Sequence, residues 1–144
     1  MNHAGKPRIL VVDDEPGVRE VTASLLKSQG YEVRVAEDGF DALLKLRTMP
    51  SDLVVSDLNM PRVSGFELLS VLRRRFPEIS VVAMSGAYDM GANVPGGVVA
   101  DAFYAKGQHD PQVLLTIVSE LIRTTAAQAR RLLQRVSSRI VHRR

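Results

Sequence analysis

The chain has 144 residues, 45% hydrophobic and 24% charged, the size and balance of one globular domain with a real core. It has no cysteine, which excludes a disulfide scaffold, a thiolate metal site and a thiol nucleophile, and is consistent with a reducing compartment. The net charge of +3 is unevenly placed: seven arginines and no acid lie from Arg123 onward, and taking those seven from nineteen basic residues leaves twelve against sixteen acidic. The body of the chain is therefore acidic at −4, and the high overall pI is not the mark of a nucleic-acid domain. No apolar run approaches the roughly 18 residues of a membrane span. The polar start, Met1 to Pro7, followed by an apolar run that ends in carboxylates, does not read as a signal peptide. The expected location is cytoplasmic.

The first apolar run is Arg8–Val12. Asp14-Glu15-Pro16 then opens a helix, with proline suited to the first helical position. Val18, Val21, Thr22, Leu25 and Leu26 follow at helical spacing, and Gly30 stops the helix. The second run is Tyr31–Val35. A second helix is predicted from Asp38 to Thr48, with Phe40, Leu43, Leu44 and Arg47 on its stripe, and Pro50 ends it. The third run is Leu53–Ser56, closed by Asp57. Ser64 and Glu67 form a capping box at the head of a third helix that runs to about Arg75. The fourth run is Ile79–Met84. Residues 86–97 hold Gly86, Gly91, Pro95, Gly96 and Gly97, so a regular three-turn helix is not expected there. The fifth run is Ala102–Ala105, with Tyr104 facing away from Phe103 and into the core. Asp110-Pro111 caps and opens the last helix.

Alternation of strand and helix predicts an α/β fold with a parallel sheet covered on both faces. Nearly continuous apolar strands such as Ile9-Leu10-Val11-Val12 agree with burial on both sides. In such sheets ligands bind outside the carboxyl ends of the strands. Asp13 and Asp14 end the first predicted strand, Asp57 the third, Ser85 the fourth and Lys106 the fifth, so these five side chains converge on one crevice. Three carboxylates held together repel and raise one another's pKa. Lys106 is one remedy, and a hard divalent ion such as Mg²⁺ is the other. Asp57 is then placed to act as a carboxylate nucleophile toward phosphorus, with Lys106 and the Ser85 hydroxyl on the phosphoryl oxygens.

These residues resemble the receiver domain of two-component response regulators. The likeness is carried by Ile9-Leu10-Val11-Val12-Asp13-Asp14-Glu15-Pro16, by Asp57-Leu58-Asn59-Met60-Pro61 with Ser64-Gly65, by Met84-Ser85-Gly86, and by Ala100-Asp101-Ala102-Phe103-Tyr104-Ala105-Lys106. It implies a doubly wound, flavodoxin-like sheet of five parallel strands in the order 2-1-3-4-5. It also implies Asp57 as phosphoacceptor and Mg²⁺ held by Asp13, Asp14, Asp57 and the backbone carbonyl of Asn59. Lys106 and Ser85 would bind the phosphoryl group, and Ser85 and Phe103 would form the switch. The implied phosphodonor is a sensor histidine kinase or a histidine phosphotransfer protein, and the implied role is a switch that binds a downstream protein, not a turnover enzyme. A relay intermediate and a constitutive interaction module are the alternatives. The chain departs from the family pattern at Gly107, where proline usually follows the lysine, in the glycine-rich stretch after Gly86, and at Ala87, two residues past Ser85, where side chains tune dephosphorylation.

The receiver is expected over residues 6–124 and a basic amphipathic extension over 125–144. Ile122, Ala126, Ala129, Leu133, Val136 and Ile140 repeat at alternating spacings of four and three, a heptad-like stripe with Arg130, Arg131, Arg135 and Arg139 between them. No glycine or proline interrupts residues 112–144, so the last helix is expected to run past the domain. Its stripe asks for a partner, with a homodimer through this helix as one option. His109 is expected to be a solvated loop residue. The residues after the receiver leave little room for a helix-turn-helix, so nucleic acid is not an expected partner.

Overall fold

The computed structural model describes residues 5–60, 65–86, 100–107 and 109–142. The chain alternates β1 (Arg8–Val12), α1 (Pro16–Ser28), β2 (Glu32–Ala36), α2 (Gly39–Thr48), β3 (Leu53–Asp57), α3 (Gly65–Arg75), β4 (Ser80–Ser85), β5 (Ala102–Ala105) and α4 (Pro111–His142). The strands form one parallel sheet in the order β2-β1-β3-β4-β5. Ser64 and residues 87–99 lie outside the described residues, so the predicted capping box and irregular fourth-helix region do too.

The unbroken apolar strands have the expected cause. Ile9 and Val11 of β1 enter one core with Leu53 and Val55 of β3, Leu26 of α1 and Leu114 and Val118 of α4. Leu10 and Val12 enter the other with Val54, Ala42 and Leu46 of α2, and Leu68 and Leu72 of α3. Successive side chains of a strand point to opposite faces, so a strand buried on both must be apolar at every position. Tyr104 joins the first core while Phe103 packs against the second, as their alternation predicts.

Two helix stripes differ from expectation. In α2 the buried positions are Gly39, Ala42 and Leu46, and Phe40 is 60% exposed. The Asp38 carboxylate accepts the Asp41 N–H at 2.8 Å and sets the phase of the first turn, turning small Ala42 toward the sheet. In α1 the buried residues are Thr22, Ala23 and Leu26, while Val21 faces outward. In both helices an alanine facing the sheet lets the backbone approach closely, and a larger apolar neighbour is left on the surface. Strand limits move by at most one residue: β2 begins at Glu32, and β3 and β4 extend to include Asp57 and Ser85.

The last helix is continuous for 32 residues, about 48 Å at 1.5 Å per residue. Leu114, Leu115 and Val118 pack on the sheet, and the Thr125 and Ser80 hydroxyls bond at 3.1 Å where β4 begins. Beyond that point the helix leaves the sheet, with Leu132 and Leu133 61% and 66% exposed. No helix among the described residues is long and apolar enough to cross a membrane.

Candidate functional site

The carboxyl ends of β1, β3, β4 and β5 place Asp13, Asp57, Ser85 and Lys106 around one crevice, and Asp14 stands at its rim. Asp13 has no exposed surface and Asp57 is 3% exposed, whereas Asp14 is open to solvent. Carboxylate oxygens of Asp13, Asp14 and Asp57 all lie within 4.8 Å of one another. Lys106 Nζ donates to Asp13 Oδ2 at 3.2 Å and sits 3.4 Å from Asp57 Oδ2, bridging the two buried acids.

Short local bonds orient each acid. The Glu15 N–H donates to Asp13 Oδ1 at 3.0 Å, and the Asn59 N–H donates to Asp57 Oδ1 at 3.1 Å. These are turns in which an aspartate side chain closes on the backbone two residues ahead. Each leaves one carboxylate oxygen toward Lys106. The Leu58 N–H donates to the Met84 carbonyl at 2.8 Å, which fixes the start of the loop after Asp57 against β4. Asn59 Nδ2 donates to Ser85 Oγ at 2.9 Å, and the Lys106 N–H donates to the Ser85 carbonyl at 3.1 Å.

Burial pushes the Asp57 carboxyl above its ordinary 3.8, and the charge of Asp13 adds to that. The Asn59 N–H and the Lys106 ammonium pull it back without cancelling the rise. Burial pulls Lys106 down, but the carboxylates of Asp57 and Asp13 more than offset this, so its pKa lies above 10.5. Asp57 is thus an ionisable group held at a cost that added positive charge would relieve. Clustered hard oxygens of this kind suit an oxygen-seeking divalent ion such as Mg²⁺, and the residues present fit it.

Every sequence-predicted site residue except Phe103 comes to the crevice. Phe103 is half-buried on the face covered by α2 and α3. Ala87 lies outside the described residues. Gly107 has φ +80°, a left-handed turn open to glycine, and the described peptide bonds are all trans. The loop after Lys106 therefore follows a path that proline, fixed near −65°, could not take.

Two neighbours of the site were not legible in the sequence. Arg19 Nη1 donates to the Asp13 carbonyl at 2.8 Å, pinning the chain between β1 and α1. His109 is an exposed loop residue, as expected, and its Nδ1 also accepts the Ala105 N–H at 3.2 Å. The only hint for His109 is its place three residues past Lys106, in a turn that lacks proline.

Comparison with known proteins agrees with this geometry. Residues 9–119 match the model of the response regulator receiver domain. Response regulator Rre1 of Synechocystis is 36% identical over 118 residues, covering 79% of this chain and 51% of Rre1. A gliding motility regulatory protein of Myxococcus xanthus is 32% identical over 123 residues, 82% of this chain and 16% of that protein. Among solved structures, response regulator TrrA of Thermotoga maritima, in complex with Mg²⁺-BeF, is 34% identical with a TM-score of 0.72, covering 80% of this chain and 98% of that one. The chemotaxis protein CheY4 of Vibrio cholerae is 28% identical with a TM-score of 0.73, over 81% and 99%. The chain spans about half or less of the length of these two curated relatives. It belongs to the response regulator receiver domain family.

Proposed function

We propose that this chain is a phosphorylation-driven signalling switch whose phosphoacceptor is Asp57. The observation that carries the reading is the bridge of Lys106 Nζ between the buried Asp13 and Asp57, with Asp14 at hand. The donor is a phosphohistidine on a sensor histidine kinase or histidine phosphotransfer protein. A carboxylate oxygen of Asp57 bonds to phosphorus while the P–N bond breaks, and the electron pair returns to the imidazole nitrogen. Lys106 is positioned to follow the charge onto the phosphoryl oxygens, a preorganised cation of the kind that lowers such barriers.

Asp13, Asp14, Asp57 and the Asn59 carbonyl would hold Mg²⁺, which would neutralise charge on the phosphoryl oxygens. Phosphate on Asp57 brings strong acceptor oxygens next to Ser85, whose hydroxyl now accepts from Asn59. The hydroxyl then donates to a phosphoryl oxygen, and Phe103, on the next strand, turns with it. The altered surface binds a downstream protein. Activation of this kind is a biased two-state equilibrium, not a catalytic cycle.

The test is chemical mapping. After incubation with a phosphorylated histidine phosphotransfer protein, borohydride reduction converts an aspartyl phosphate to homoserine. Peptide mass spectrometry is expected to find homoserine at position 57. Homoserine at another aspartate, or at none, contradicts the assignment.

A further inference from the structure

The segment that follows Lys106 is tied in a way that the phosphoacceptor reading does not use. β5 is an edge strand of the sheet, so among the described residues one side of its backbone has no neighbouring strand. Lys106 spends its N–H on the β4 carbonyl of Ser85. Backbone groups alternate in direction along a strand, so the N–H of Ala105 points the other way, to the open edge. There it is met by a side chain: His109 Nδ1 accepts it at 3.2 Å.

The same histidine closes the loop with its backbone. Its N–H donates to the Ala105 carbonyl at 3.0 Å, and its carbonyl accepts the Tyr104 hydroxyl at 3.1 Å. The two rings stand 5.7 Å apart at 52°. Tyr104 is a core residue, so the loop is anchored to the interior of the sheet. The left-handed turn at Gly107 brings the chain round far enough for these bonds to form. Both backbone groups of the residue that precedes Lys106 are thus held by one residue, and no proline stiffens the turn.

We propose that His109 is a positioning residue for Lys106: by clamping Ala105 from the open edge of β5 it fixes the origin of the lysine side chain that reaches Asp13 and Asp57. The clamp requires an unprotonated Nδ1, so the neutral ring carries its proton on Nε2. Asparagine presents an acceptor at the same remove from the backbone. Phenylalanine keeps the ring contact with Tyr104 but offers no acceptor.

This inference rests on Asp57 being the phosphoacceptor, and the experiment separates the two. The rate of Asp57 labelling by acetyl phosphate and Mg²⁺ is measured for the full chain, His109→Phe, His109→Asn, Lys106→Ala and the double variant His109→Phe/Lys106→Ala. Cooperative melting of each variant confirms that it is folded. His109→Phe is expected to slow labelling about tenfold, the scale set by misplacing a catalytic group by less than an ångström, while His109→Asn stays near wild type. In the Lys106→Ala background His109→Phe is expected to have no further effect, because the group it positions is gone. Wild-type rates in folded His109→Phe overturn the positioning role. So does an equal slowing by His109→Asn, or a full additional slowing in the absence of Lys106. Failure of the unaltered chain to label with acetyl phosphate and also with a phosphorylated histidine phosphotransfer protein overturns the phosphoacceptor reading instead.

Discussion

At the residue scale the site is a balance of burial against charge. Asp57 is held above its ordinary pKa by burial first and by Asp13 second. An acid whose folded pKa exceeds its unfolded value binds its proton more tightly in the fold. Its contribution to stability is present below the unfolded 3.8 and is lost as pH rises through the folded value. At neutral pH the ionised Asp57 therefore costs stability, and Asp57→Asn is expected to melt at a higher temperature than the unaltered chain in Mg²⁺-free buffer. A lower melting temperature would mean that Asp57 is not a strained carboxylate. Mg²⁺ offsets the same cost: at ten times its dissociation constant it is expected to stabilise the folded chain by about 1.4 kcal/mol. Calorimetry with Mg²⁺ should show that gain for the unaltered chain and little of it for Asp13→Asn. The carboxylates, Ser85 and Lys106 were legible because each is a polar residue at the end of an apolar run. Arg19 and His109 were not, because both act through backbone atoms and nothing in the residue type announces that.

At the element scale the strands were legible almost to the residue, since burial on both faces leaves an unbroken apolar run. The helices were legible in place but not in phase. Phe40 and Val21 read as core because they are large and apolar, but Ala42 and Ala23 occupy the face that meets the sheet. Urea unfolding should separate the two assignments in α2. Leu46→Ala is expected to cost about 2–5 kcal/mol as a buried truncation. Phe40→Ser is expected to cost about 0.5 kcal/mol or less as a surface change. A loss for Phe40→Ser as large as for Leu46→Ala would restore the sequence-based stripe. The last helix was legible in both start and length, from Asp110-Pro111 and the lack of any breaker after it. Its free half exposes Leu133 and Val136 on the heptad-like stripe, with Leu132 exposed beside them, and we propose a second copy of the chain as their partner. Sedimentation should then show a concentration-dependent dimer that Leu133→Ser/Val136→Ser abolishes. A unaltered chain that stays monomeric at high concentration would contradict that pairing.

At the scale of the whole molecule the two ends of the sheet differ. The carboxyl end of the sheet gathers acid, hydroxyl and ammonium groups from four strands, and α4 carries the chain past the opposite end, where its stripe is free. The parallel sheet accounts for the shared crevice, because all strands point the same way and their carboxyl ends lie on one side. That is why the fold and the site could be read together: the alternation of runs gives the sheet, and the sheet brings together residues up to 93 positions apart, as with Asp13 and Lys106. The most direct test of the central claim is intact mass after incubation with acetyl phosphate, with and without Mg²⁺, for the unaltered chain and Asp57→Asn. One phosphoryl adduct is expected, dependent on Mg²⁺ and absent from Asp57→Asn. An adduct of equal extent on Asp57→Asn, or none on the unaltered chain with either acetyl phosphate or a histidine phosphodonor, would contradict it.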